Sequence, residues 1–119
     1  MTQDSKSGLE QVPSKLAAGR VVRLHELTDC VPGSVVSRIL LKNTAGTITL
    51  FAFDAGQGLS EHTAPFDAVV QVLEGEVMLT IGGKDMPAVA GETVLMPANV
   101  PHALHATRPF KMLLTMIRG

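Results

Sequence analysis

Beyond about position 14, Gly or Pro interrupts this chain at intervals of roughly 8–12 residues, and that punctuation limits its fold more than any other feature. Helices need longer uninterrupted stretches than this, whereas strands do not. Short apolar runs rich in Val, Ile, Thr and Phe lie between the breaks: Val21–Leu27, Val35–Leu41, Thr47–Phe53, Ala68–Leu73, Val77–Ile81, Thr93–Met96, His102–Ala106 and Phe110–Ile117. Thr47-Ile48-Thr49-Leu50 alternates polar and apolar, as a strand with one covered face does, and then becomes apolar on both faces. Glu74-Gly75-Glu76 reads as a tight turn between strands, and Gly82-Gly83 as a hairpin turn. Met96 to His102 carries Pro97 and Pro101 and cannot be a central helix. The pattern predicts an all-β barrel of eight or more strands, with at most a short helical turn near Lys15–Ala18.

The chain has 119 residues, enough for one domain with a core of its own. With 45% hydrophobic and 18% charged residues it is globular rather than disordered. A net charge of −1 and an aromatic set of four Phe give no basis for expecting nucleic acid or a membrane surface as a partner. No stretch approaches the roughly 20 apolar residues of a membrane span. Met1–Ser14 is polar, lacks the apolar core of a signal peptide, and reads as a mobile tail ahead of a barrel domain at 15–119. A cytoplasmic location is the corresponding expectation. Cys30 is alone, so it forms no internal disulfide and reads as a small buried hydrophobe.

Two spaced patterns carry the chemistry. The first runs Gly56, five residues, His62, one residue, Ala64, three residues, Ala68, six residues, Gly75. The second runs Gly91, five residues, Pro97, one residue, Asn99, two residues, His102, and 15 residues separate Gly75 from Gly91. Together they resemble the two motifs of the cupin superfamily, Gly-x5-His-x-His-x(3–4)-Glu-x6-Gly and Gly-x5-Pro-x-Gly-x2-His-x3-Asn. The resemblance implies a double-stranded β-helix, the RmlC-like jelly-roll barrel, and a small single-domain bacterial form of it. Asn99 replaces the family's Gly, and Asn is the usual second choice for a left-handed backbone position.

The chemistry of the motifs is partly emptied. Ala64 stands at the second His position, Ala68 at the Glu and Ala106 at the closing Asn. In metal-binding cupins the two His of the first motif, its Glu and the His of the second converge on one divalent ion, Fe, Mn, Ni or Zn. The resemblance therefore makes His62 and His102 the surviving ligands, expected to meet in one cavity. Two imidazoles need a further donor to hold such an ion firmly. Asp67, one residue before the Glu position, is the candidate, set against a turn or solvent-facing carboxylate. Glu61 next to His62 should point away. His105 is expected on the face opposite His102, and His25 lies outside both motifs. Gln71 is a candidate polar group in the pocket, Phe66 and Met78 with Met96 candidate lining, and Met112 and Met116 further candidates, set against ordinary core packing.

Three functions stay open at this point. A metal held by His62, His102 and Asp67 would support a dioxygenase, isomerase or lyase acting on a small organic molecule. An emptied site would suit a non-catalytic module for a small ligand, or a dimeric scaffold with a vestigial site. A homodimer is expected, with Val21–Leu27 as the edge that pairs across the subunit boundary.

Overall fold

The computed structural model describes residues 16–118; the expected tail at Met1–Ser14, together with Lys15 and Gly119, lies outside the described residues. Nine strands form among the described residues: β1 (Val35–Asn43), β2 (Gly46–Phe53), β3 (Gly58–His62), β4 (Asp67–Glu74), β5 (Glu76–Ile81), β6 (Lys84–Val89), β7 (Thr93–Met96), β8 (His102–Ala106) and β9 (Phe110–Ile117). A five-stranded sheet in the order β1-β2-β9-β4-β7 faces a four-stranded sheet in the order β3-β8-β5-β6. Every pairing is antiparallel, which makes a jelly-roll barrel.

Strand periodicity decides what faces the core. On β4, Ala68, Val70 and Val72 are buried, while Asp67 and Gln71 are exposed on the other face. Register carries this face across the sheet, since Val70 sits beside Val94 on β7 and Leu114 on β9. Val77, Leu79 and Leu104 come from the opposite sheet to meet it. At the far end Phe53 and Phe110 are cross-strand partners, both fully buried, with rings stacked at 4.7 Å. Such a pair adds about 1 kcal/mol beyond the area it buries.

The outer face of the five-stranded sheet is partly covered by the chain that precedes β1. Leu50 and Ala52 on that face are fully buried. Their cross-strand neighbours Arg38 and Lys111 reach up to the covering segment. The Arg38 guanidinium donates to the carbonyl of Leu27, and Lys111 Nζ donates to that of His25 at 2.6 Å. Lys111 is buried and also lies 3.5 Å from Glu74, so its charge is compensated. The Cys30 thiol donates to the carbonyl of Phe53. Burial pushes this thiol up from its ordinary range, against the opposing pull of Lys111. Half-buried, it lies between the carbonyls of Phe53 and Phe110, at the adjoining ends of β2 and β9.

Seven of the eight apolar runs are strands. The exception is Val21–Leu27, which forms a 3-10 turn at Leu24–Glu26 and not a strand. Val22-Arg23-Leu24-His25-Glu26 alternates like a strand, but Leu24 and Leu27 are the residues that become half-buried, and three-residue spacing suits a helical turn. The expected turn near Lys15–Ala18 is an ordinary turn at Ala18–Gly19. Two strands carry no apolar run: β3, whose sequence is mostly polar, and β6, which holds Pro87. Edge position explains both, since each ends the four-stranded sheet and an edge tolerates Pro.

Gly75 and Gly83 separate backbone strain from crowding. Their φ angles are +80° and +82°, yet a Cβ on Gly75 would lie 2.0 Å from the carbonyl oxygen of Pro109, whereas one on Gly83 meets nothing within 4 Å. Gly83→Ala should cost about 1–2 kcal/mol, the left-handed penalty alone. Gly75→Ala should cost more than about 3 kcal/mol, because backbone has to move. Urea denaturation of both variants tests this, and equal losses would show that the close approach is not real.

Candidate functional site

β3 and β8 bring the two histidines together through an irregularity. Gly58 pairs with His105 and Leu59 with Leu104, but the next pair is His62 with His102. β3 thus carries one more residue than β8 over the same length, which is a β-bulge at Ser60–Glu61. Leu59 and His62 are three apart and would face opposite sides of a regular strand. The bulge returns His62 to the side of Leu59, and both line the barrel cavity. It also turns the Ser60 carbonyl toward the ring, where it lies 2.8 Å from His62 Nδ1.

The loop before β8 repeats the device. His102 Nδ1 lies 3.1 Å from the carbonyl oxygen of Val100, again two residues earlier. Asn99 takes the left-handed conformation that its place in the motif implied, with φ 64°. Its N–H donates to the carbonyl of Ala64 at 2.7 Å, and the N–H of Ala98 donates to Asp67 Oδ1 at 2.9 Å. These two bonds tie the second motif's loop to the chain just after His62.

A carbonyl only accepts, so both Nδ1 atoms carry protons and both Nε2 atoms present lone pairs when the rings are neutral. The Nε2 atoms are 3.1 Å apart and the rings meet edge-on at 72°. Two lone pairs at that distance require compensation. A proton held by one Nε2 makes the pair an imidazolium–imidazole hydrogen bond, and a cation held by both does the same work. His102 is buried and His62 is the exposed member, so the pair stands at the mouth of the cavity.

Behind the mouth the cavity is apolar. The space open to the centre of a water molecule is about 60 Å³. Ala64 and Ala68, the emptied family positions, both line it. Ala68 pairs with Met96 on β7 and with Met116 on β9, so a row Met96–Ala68–Met116 crosses the five-stranded sheet opposite the His62–His102 row. Met112 and Leu114 continue the same face of β9.

The other sequence candidates fall elsewhere. Asp67 is exposed and fastens the Ala98 N–H. Gln71 is exposed on the outer face of β4. Met78 is half-buried between Val77 and Leu79, on the face of β5 away from the core. Phe66 lies under the Arg118 guanidinium, 5.1 Å from it, and does not line the cavity. Glu61 sits in the bulge, exposed; His105 is exposed; His25 faces Glu26 at 3.8 Å. Sequence reasoning missed the carbonyls of Ser60 and Val100, which leave no trace in residue type, and Leu59, whose direction depends on the bulge.

A resident divalent ion of the family's kind fits this donor set poorly. The two Nε2 lone pairs converge, but among the described residues no group of three His, Cys, Asp or Glu side chains could hold a metal. A doubly charged ion left with two neutral ligands in an apolar pocket lacks the anionic donor that offsets its desolvation.

A family model described as "Cupin domain" matches residues 49–117, more than half of the chain, and the chain belongs to the cupin family. Among solved structures it is similar to a conserved protein of unknown function from Streptococcus pyogenes. That match has 31% identity and a TM-score of 0.84, and covers 93% of this chain and 97% of that one. A cupin superfamily protein from Desulfitobacterium hafniense matches at 26% identity with TM-score 0.83, covering 92% and 100%. A Cupin 2 conserved barrel domain protein from Leptotrichia buccalis matches at 37% identity with TM-score 0.77, covering 79% of this chain and 46% of that one. No curated protein matches the chain significantly. Among the described residues no helix is long and apolar enough to cross a membrane.

Asp67 offers a direct check on the site as built. Asp67→Asn keeps an oxygen that can accept from Ala98 and should change stability by less than about 0.5 kcal/mol. Asp67→Ala removes the acceptor and should cost about 1–2 kcal/mol. Thermal and urea unfolding measure both. A large loss in the Asn variant would mean that the charge, not the loop contact, is what matters.

Proposed function

We propose that this cupin is a small-molecule-binding barrel that takes a compact, mainly apolar molecule between its two sheets. The observation that carries the proposal is the division of the cavity: apolar walls of Leu, Ala and Met, and one polar point where the two Nε2 atoms converge. Pockets that bind small molecules are built this way, with hydrophobic lining and a few placed polar groups. About 60 Å³ of water-accessible space compares with the 10–15 Å³ that one water needs, which gives room for a handful of heavy atoms. The polar end of the ligand would be a hydrogen-bond donor such as a hydroxyl, because neutral rings offer it only lone pairs.

The same donor set favours binding over turnover. The dioxygenase, isomerase and lyase alternatives each ask for a metal held by at least one further ligand or for a second group placed for proton transfer. Asp67, the residue best placed in sequence for such a role, is hydrogen-bonded to Ala98 instead.

Phenol is a suitable probe, being apolar with one O–H donor. On titration the methyl resonances of Met96, Met112 and Met116 should shift, while that of Met78 stays fixed. Ala64→Leu should fill the cavity and weaken phenol binding by about tenfold or more with the fold retained. Absence of methyl shifts, or undiminished binding in Ala64→Leu, would remove the proposal.

A further inference from the structure

The outer face of the five-stranded sheet is covered on one half only. Leu50 and Ala52 lie buried beneath the chain that precedes β1, and the cations beside them, Arg38 and Lys111, are bonded to carbonyls of that cover. The other half carries a bar of side chains, one from each strand. Register sets Leu41 on β1 beside Ile48 on β2, and Ile48 beside Thr115 on β9. Thr115 in turn lies beside Val69 on β4, and Val69 beside Leu95 on β7. No member of the bar is charged. Leu41 is 48% exposed, Leu95 56%, and Ile117 in the next row 54%. An antiparallel sheet that faces water ordinarily places polar side chains there.

We propose that this bare half-face docks a second copy of the chain, related by a two-fold axis, with the two bars packed on each other. None of the five bar residues lines the cavity, so the inference goes beyond the small-molecule reading and is independent of it.

Charge favours the second copy over a different partner. On the outward positions of the bare half Asp67 is the one charged side chain among the described residues, and its Oδ1 accepts from the Ala98 N–H. A charged partner finds little to hold there, whereas an apolar bar complements itself, as a two-fold interface requires. The cover then selects the axis. A two-fold running along the strands would set cover against cover. A two-fold running along the bar reverses the strand direction and lays each cover over the partner's bare rows near Ile117. Each bar residue then meets its own counterpart between sheets about 10 Å apart. Leu16, Val21 and Val22, exposed on the cover, gain a surface to pack on.

The area is sufficient. Five strands about 4.8 Å apart, carrying three outward rows, give roughly 500 Å² of bare sheet. A stable interface removes about 800 Å² per partner, and the two covers supply the remainder.

The test uses the full-length protein freed of any affinity tag, in sedimentation velocity across micromolar concentrations. The wild type should be a dimer. Leu95→Asp and Leu95→Lys should each weaken it by about 100-fold or more, because like charges then face each other across the axis. Leu95 is more than half exposed, so both variants should keep the wild-type circular dichroism and thermal unfolding. Mixing the two variants should restore a dimer, since position 95 meets position 95. In wild-type protein mixed from labelled and unlabelled chains, filtered NMR contacts should join the methyl groups of Leu41 and Leu95 to those of their own counterparts, a readout independent of any variant. A monomeric wild type, or a dimer indifferent to charge at position 95, would overturn the inference. So would restoration by Leu41→Lys within the Leu95→Asp chain without restoration in the mixture, which is the outcome of the axis along the strands.

Discussion

Two backbone carbonyls determine the chemistry at the mouth of this barrel. Ser60 and Val100 each take the Nδ1 proton of the histidine two residues further on, and both rings are thereby turned to present Nε2 to the same point. The carbonyls are available because the backbone is irregular at both places. A bulge interrupts β3 before His62, and a left-handed Asn99 bends the loop before His102. Regular strands would have spent those carbonyls on ladder bonds and sent Leu59 and His62 to opposite faces. The site depends on two local departures from the sheet, held to one another by the Ala98–Asp67 and Asn99–Ala64 hydrogen bonds.

The substitutions that empty the motifs act together. Ala64 and Ala68 enlarge the cavity, and no carboxylate lines it. Leucine and methionine then make most of the surface, so the imidazole pair sits between solvent and an apolar interior. Electrostatic effects are strong in such a place, because less water is present to screen them. A bound group that can satisfy both Nε2 lone pairs gains accordingly, and one that cannot leaves them facing each other.

Much of the fold was legible in the sequence, because Gly and Pro spacing and period-2 burial are local signals. The runs at Thr93–Met96, His102–Ala106 and Phe110–Ile117 match β7, β8 and β9 to the residue. β3 and β6 were hidden because edge strands need no apolar run, and Val21–Leu27 misled because its alternation mimics a strand over too few residues to separate the two periods. The site was legible only in outline. Spacing brought His62 and His102 to one place, and Met96, Met112 and Met116 to the cavity wall. Gln71 and Met78 were misplaced because one step along a strand exchanges core for surface, and Phe66 because the irregular chain after His62 follows no period. Asp67 carried the charge expected of a ligand, but a nearby unpaired N–H claimed it.

The central claim is that both histidines, when neutral, carry their proton on Nδ1 and aim bare Nε2 atoms at each other. Long-range proton–nitrogen correlation NMR in mildly alkaline solution reads this directly, since protonated and bare ring nitrogens resonate far apart. His62 and His102 should both show a protonated Nδ1 and an unprotonated Nε2. A proton residing on Nε2 of either ring, with its Nδ1 bare, would contradict the account.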